Sequence, residues 1–335
     1  MKLNRLSGSI STLGYGLRSR ALIYPVGILL AWAIASSCAD SGDPTPPGGN
    51  QRAWSVVKEP AGADYYGVWV SPSAEVFVVG ENGSALRSAD GENWTEMNTG
   101  VSATLRGVYG VTSDDVYAVG TAGTMLHFDG AAWSPFPSPS DTSLFAVTIT
   151  ADGGLFVVGD GGLRARFAGD SWEVVTDQHW YLGVWGASDT DVFAVGAGSG
   201  VSHFDGVSWE AMPNPAGMPL FDVWGTCARD VYAVGFDGII IHYDGNQWVM
   251  VDSGQVPGHL SALRGVWGAS TSDVLAVGGL NFWDDEAGAH DCVITRSDGG
   301  TWTVQASPTT LNLADVFGLD GVVYAVGDQG IILRY

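Results

Sequence analysis

Three histidines, His127, His203 and His242, are the side chains of this sequence best suited to bind a transition metal. Each stands one residue before a Phe/Tyr-Asp-Gly turn, in segments that recur about every 40 residues. A shared ion must sit ~2.0–2.1 Å from each imidazole nitrogen, whereas packed sheets stand ~10 Å apart. Equivalent points on separate repeats cannot meet at one ion, and Arg166, Arg296 and Arg334 hold the same place in other copies. The position reads as polar surface, with no metal and no cofactor. Asp115, Asp191, Asp230 and Asp273, which recur before another repeated strand, are assigned to fixing the turn there.

Arginine offers a second chemistry. Arg106 and Arg264 occupy equivalent places in two copies, and Tyr65 and Tyr66 hold that place in a third. Paired guanidiniums can grip a carboxylate, but the matching positions elsewhere are Phe145, Leu182, Phe221 and Ala314. The sequence has no Gly-x-Ser-x-Gly elbow, no His-Glu-x-x-His and no phosphate-binding glycine loop followed by Lys. No residue is therefore assigned a catalytic role, and the chain is read as a binding protein rather than an enzyme.

Two places break the repeat, and recognition is sought there first. Leu280–Asp291 replaces a connection of two or three residues and carries Phe282 and Trp283, then Asp284, Asp285, Glu286, His290 and Asp291. An apolar pair beside an acidic cluster suits a protein or glycan partner; Ca²⁺ is a further option, although EF-hand spacing is missing. Together with Arg106, Arg264 and the loop residues His179, Trp180 and Tyr181, these form the candidate binding set. The second break is Cys227 and Cys292. An oxidising compartment would favour a disulfide between them, but the repeat places them near opposite faces, and bridged Cα atoms must approach to ~4.4–6.8 Å.

The elements that position these residues follow from the repeat itself. A Val-Gly dipeptide recurs with its glycine at Gly80, Gly120, Gly159, Gly196, Gly235, Gly278 and Gly327. Around it, copies such as Leu105–Trp133 show short Val/Ile/aromatic runs in alternation, broken by Gly, Asp and Ser. Each copy predicts four strands, A to D, joined by Gly-rich and Asp-Gly turns. Seven copies predict an all-β, seven-bladed β-propeller of four-stranded antiparallel blades over residues 52–335. The seventh copy ends after its third strand, and Arg52–Glu59 fits as the missing outer strand that closes the ring. Closure removes exposed edges, and a monomer is expected. Trp54, Trp94, Trp133, Trp172, Trp209, Trp248 and Trp302 then supply one packing aromatic per blade.

The C–D turns read SADGENW, FDGAAW, FDGVSW, YDGNQW and SDGGTW, and blade three has Ala168 in place of the Asp. They resemble the Asp-box, or BNR, repeat of sialidase-like and photosystem-assembly-type propellers, with an Asp-to-Trp spacing one residue short. The Val-Gly-Gly element of blade six is also similar to kelch repeats. The resemblance implies either a non-catalytic assembly role or a glycan-acting hydrolase or lyase. The latter would need an arginine cluster and a tyrosine nucleophile with a glutamate partner.

Residues 1–37 read as an export signal: Lys2, Arg5, Arg18 and Arg20 precede a 15-residue apolar run, Ala21–Ala35. That run is short of the ~20 residues of a spanning helix. Ala35-Ser36-Ser37 before Cys38 resembles a bacterial lipobox, which implies lipidation at Cys38 and residence at the cell envelope, on its periplasmic or outer-surface side. Residues 38–51 are a Pro/Gly/Asp-rich tether. The formal charge of −22 becomes −26 once the four leader cations are gone. Such a surface excludes nucleic acid as a partner and leaves the lipid as the only membrane contact.

Overall fold

The computed structural model describes residues 53–198, 200–254, 261–280 and 292–335. Cys38 and the insertion residues Phe282, Trp283, Asp284, Asp285, Glu286, His290 and Asp291 lie outside the described residues. The rest forms seven four-stranded antiparallel sheets, a seven-bladed β-propeller. The innermost strands are Tyr65–Val70, Leu105–Thr112, Leu144–Ile149, Tyr181–Ser188, Leu220–Cys227, Ser261–Ser270 and Leu313–Leu319. Each blade then runs outward through B, C and D. In blade seven the outer place is filled by Ser55–Lys58 from the other end of the chain, with Ser55 opposite Arg334 and Val56 opposite Leu333.

The hydrophobic core is divided among the interfaces between blades. Seven clusters of buried side chains each join two neighbouring blades, and each holds one of the seven tryptophans. Trp54 packs with Leu275 and Val277 of blade six and Leu313 of blade seven; Trp133 packs with Trp69 and Phe77 of blade one. No blade buries its apolar faces alone. The B–C and D–A connections share one face, as Thr121 N donating to Thr104 O and Phe236 N donating to Pro219 O show. The A–B and C–D turns share the other: a Cβ on Gly130 or Gly245 would touch Asp114 or Arg229.

On the turn face five aspartates tighten the C–D turns. Asp129 Oδ1 accepts N–H groups from Ala131 at 3.0 Å and Ala132 at 2.9 Å, and Asp90, Asp205, Asp244 and Asp298 repeat the pattern. These donors hold Asp129, Asp205, Asp244 and Asp298 below the usual carboxylate range.

The closing strand yields a test. A chain beginning at Ala61 should melt well below one beginning at Gln51, because it loses the blade-seven outer ladder together with the Trp54 contact. Trp54→Ala alone should cost about 3–5 kcal/mol in urea unfolding. Equal melting of the two chains would mean that Ser55–Lys58 does not hold the ring closed.

Candidate functional site

The axis of the propeller is built from the start of strand A. Every innermost strand slips register there, between Tyr65 and Gly67, Leu105 and Gly107, and the corresponding residues of the other five. A bulge sets two residues against one and re-aims the side chains it carries. The row it turns to the channel mouth is Tyr66, Arg106, Phe145, Leu182, Phe221, Arg264 and Ala314, all half-buried. Deeper, aromatic rings fill the axis. Tyr109 meets Trp69 at 6.1 Å and Phe317 at 6.0 Å, and Trp267 meets Phe317 at 6.3 Å and Trp224 at 6.5 Å. Tyr109 and Phe317 belong to blades two and seven, so that contact reaches past blade one on the axial side. The rim row and these rings together line the axis on the side of the B–C and D–A loops.

Arginines and aromatics alternate around its rim. The Arg106 guanidinium lies over the Tyr66 ring at 5.2 Å and the Phe145 ring at 5.7 Å; Arg264 lies 6.0 Å from the Phe221 ring centre. Tyr66 donates to Glu81 at 3.3 Å and to Asp64 at 3.5 Å. Burial first, and the carboxylates of Glu81 and Asp64 after it, push its phenol up to about 12. Burial lowers Arg264 from its ordinary value, opposed by Asp328 and Tyr66. Arg106 thus contacts Tyr66 directly, while Arg264 stacks on Phe221 and feels the Tyr66 charge.

The candidate loop of blade four divides into an exposed part and a buried part. Trp180 is 56% exposed and His179 lies beside Asp177, with Nδ1 to Oδ1 at 3.2 Å. Tyr181 is 2% exposed, and this corrects its place among the binding residues: it belongs to the core between blades three and four. Arg164, 5% exposed, stacks on the Tyr181 ring at 4.5 Å and donates to Asp177 at 2.7 Å, Ser202 at 2.8 Å and Tyr181 Oη at 3.1 Å. This buried pair anchors the loop, and Ala197 N donating to Trp180 O at 2.8 Å ties the exposed residue itself. Trp180 is presented, not mobile by design.

Elsewhere the structure joins what the repeats listed separately. His127 pairs with Asp115 at 2.8 Å, His242 with Asp230 at 2.6 Å and His203 with Asp191 at 3.4 Å. Arg296 grips Asp273 with both arms, at 2.6 and 2.7 Å. These strand B to strand C pairs lie on the turn face, away from the rim. Cys292 is a free thiol, pushed up to about 11 by burial, so the bridge between Cys227 and Cys292 is not formed. Cys227 ends strand A on the turn face whereas Cys292 precedes strand C on the loop face. A groove of about 780 Å³ between the outer parts of blades one and two, lined by Arg87, Asp90, Met97, Phe128 and Trp133 among others, is also remote from the axis.

Two axial residues were not singled out from the sequence. Below the rim the same row is Gly67, Gly107, Ala146, Gly183 and Gly265 in five blades, but Asp222 and Asp315 in blades five and seven. The signal was present as a departure from the repeat, hidden inside a strand instead of in a long loop.

Comparison with known proteins places the fold. The family described as the DUF6242 beta propeller domain matches residues 44–181. A curated relative, the immune protein Tsi7 of Pseudomonas aeruginosa, is 26% identical over 107 residues, 30% of this chain; the chain spans only 35% of that protein's length. Among solved structures, YCF48 bound to D1 peptide is similar with a TM-score of 0.67 at 19% identity, covering 86% of this chain and 98% of that one. YCF48 from Cyanidioschyzon merolae follows at 0.65 and 17%, covering 85% and 98%. Virginiamycin B lyase from Staphylococcus aureus gives 0.68 at 12% identity, covering 83% and 96%. At these identities the likeness is one of fold.

The Arg164 network can be tested without a ligand. Arg164→Met should destabilise the protein by about 1–3 kcal/mol in urea unfolding, since it removes the donor to the buried Ser202 and Tyr181 hydroxyls. A neutral Arg164→Met would show that the loop is held by other contacts.

Proposed function

We propose that the protein is an exported propeller, lipid-anchored through Cys38, that binds a protein or glycan of the bacterial cell envelope at its channel mouth and performs no chemistry of its own. The observation that carries the reading is the rim of Arg106, Tyr66, Phe145, Phe221 and Arg264, with Trp180 exposed on a tied loop beside it. Guanidiniums stacked on aromatic faces are held in place before a ligand arrives, which lowers the ordering cost of binding. Arginine and aromatic residues are also the side chains that dominate interface energetics. A structurally similar propeller, YCF48, is known bound to D1 peptide, which supports a propeller of this architecture receiving a polypeptide. The five C–D turns braced by an Asp carboxylate favour the Asp-box resemblance over a kelch-like one.

Strand B of blade six, Asp273–Leu280, ends on the face that carries the rim, and strand C begins there at Val293, so the intervening insertion is assigned to this face. Its apolar and acidic residues, with Ca²⁺ as an optional companion, belong to the same proposed surface.

A second reading, a glycan-acting hydrolase or lyase, has one observation in its favour: the Tyr66 hydroxyl lies 3.3 Å from Glu81. The raised phenol weighs against it, because a nucleophile is activated by a lowered pKa or by a base that takes its proton. Virginiamycin B lyase shows only that this architecture accommodates a lyase.

Three outcomes test the proposal. Pull-down from envelope extract beside a glycan array should lose its bound species at least about tenfold with Arg106→Ala/Arg264→Ala, since each charge-assisted contact is worth about 1.5–3 kcal/mol. Thermal stability should remain near wild type. Replacing residues 281–291 with a short glycine turn should keep the fold, because loop-closure entropy changes slowly with length, while weakening the same capture. Fatty-acid labelling should tag the wild type and not Cys38→Ala. Capture unchanged in both binding variants would move the site away from this face.

A further inference from the structure

Three charged side chains gather round the Tyr66 phenol at the channel mouth, and among the described residues none of them closes an ion pair. Arg106 lies over the faces of Tyr66 and Phe145, at 5.2 and 5.7 Å, and its Nε is buried without a hydrogen-bond partner. By contrast Arg87, Arg164, Arg166, Arg296 and Arg334 each reach an Asp or Glu at 2.6–3.6 Å. Arg264 also differs from Arg106, because Asp328 answers its charge.

Two carboxylates stand at the hydroxyl end of the same ring. The Tyr66 hydroxyl lies 3.3 Å from Glu81 Oε1 and 3.5 Å from Asp64 Oδ2, and the Asp64 N–H reaches Glu81 Oε2 at 3.5 Å. Bonds of this length are weak, since O–H···O pairs ordinarily close to about 2.5–3.0 Å. No Lys, Arg or His among the described residues pairs with either acid. Both acids are nevertheless fixed in place: Gln329 N donates to Asp64 Oδ1 at 2.7 Å, and Glu81 N donates to Asp64 O at 3.0 Å. Arg106, Tyr66, Glu81 and Asp64 are all half-buried. The phenol thus acts as a spacer, with an open cation on its face and open anions at its hydroxyl.

Granted the mouth as the binding surface, we propose that Arg106 on one side and Glu81 with Asp64 on the other form a bipolar receptor. It takes a polypeptide segment bearing an acidic and a basic side chain close together, the carboxylate on Arg106 and the cation on the two acids.

The charge pattern sets this preference. A simple anion on Arg106 would be held near Glu81 and Asp64, and a simple cation on the acids would be held near Arg106. A ligand with both charges meets an opposite charge at each end, and each contact is charge-assisted. Residues two apart in an extended segment share one face, roughly 6.5 Å apart at ~3.3 Å per residue. Such a segment can straddle a single phenol, and its backbone ties the two charges to neighbouring positions.

The test uses the whole protein with ¹⁵N-labelled arginine, following the Arg106 Nε–H resonance during peptide titrations. The probes are acetyl-Glu-Phe-Lys-amide, acetyl-Glu-Phe-Gln-amide and acetyl-Gln-Phe-Lys-amide. The first should shift the resonance and bind at least about tenfold more tightly than either of the others. In Glu81→Gln/Asp64→Asn, whose amide oxygens can still accept from Tyr66 and Gln329, the advantage conferred by the lysine should vanish. Binding of acetyl-Glu-Phe-Gln-amide should not weaken in that variant. Equal affinity of the first two peptides, with the resonance shifting in both, would refute the bipolar receptor and leave the mouth as a site for a single anion. No shift with any peptide would overturn the receptor and the place of Arg106 in the binding surface together. A shift produced by phosphatidylethanolamine vesicles and by none of the peptides would replace the polypeptide with a zwitterionic headgroup. The three wild-type titrations decide the matter even if the double variant fails to fold.

Discussion

Crowding at the axis is the constraint on which the rest of this molecule depends. Seven innermost strands converge there, and the row below the rim has almost no room for side chains. A Cβ on Gly183 would sit 2.8 Å from Asp222 Cα, and one on Gly67 only 3.2 Å from the Val108 nitrogen. Contacts below about 3.0 Å are not tolerated without backbone movement, so glycine or alanine fills the row wherever a blade must pass close to its neighbour. Asp222 and Asp315 are admitted because their neighbours in the row are glycines and because backbone N–H groups receive their oxygens. The crowding that fixes the row also desolvates its two exceptions.

From that constraint follows the division of labour along each strand A. The bulge lifts one residue per blade to the rim, where space opens and residue type is free to vary, from Ala314 to Arg106. Below the crowded row the strands bring up large rings, which fill the axis from the turn side. Chemical variety is thus confined to the rim and the loops above it, while stability resides in interblade clusters further out. A binding surface mounted this way is rigid at its base. Even the exposed Trp180 stands beside a buried Arg164, which holds Asp177 of the same loop.

The architecture was legible in the sequence because one blade is one repeat. The Val-Gly period fixed the blade count, the truncated seventh copy pointed to Ser55–Lys58, and one tryptophan per blade anticipated the seven interface clusters. The site was less legible, for physical reasons. Strict alternation cannot show a bulge, so the sequence did not reveal which two successive residues face the axis, and Asp222 and Asp315 passed as ordinary strand positions. Tyr181 looked like a loop residue because it adjoins His179 and Trp180, although it holds the first strand-A position, which Leu105, Leu144, Leu220, Leu263 and Leu313 bury in other blades. The histidines and aspartates were sorted into two sets because the pairing of strand B with strand C, which joins His127 to Asp115, is a property of register.

The electrostatics of the rim narrow what it is suited to hold. The chain is strongly acidic, with a formal charge of −22, and its two rim arginines are not a bare cationic patch. Arg106 is sandwiched by rings, and Arg264 is drawn to Asp328 and Tyr66. An isolated small anion would have to compete with carboxylates already present and would meet the long-range repulsion of the whole surface. A ligand that brings apolar or aromatic area along with one acidic group gains stacking on Phe145, Phe221 and Trp180 in addition to the guanidinium contact. That combination is ordinary in a polypeptide segment and uncommon in a simple sugar. Of the two partner classes proposed for the mouth, protein is therefore the better physical match.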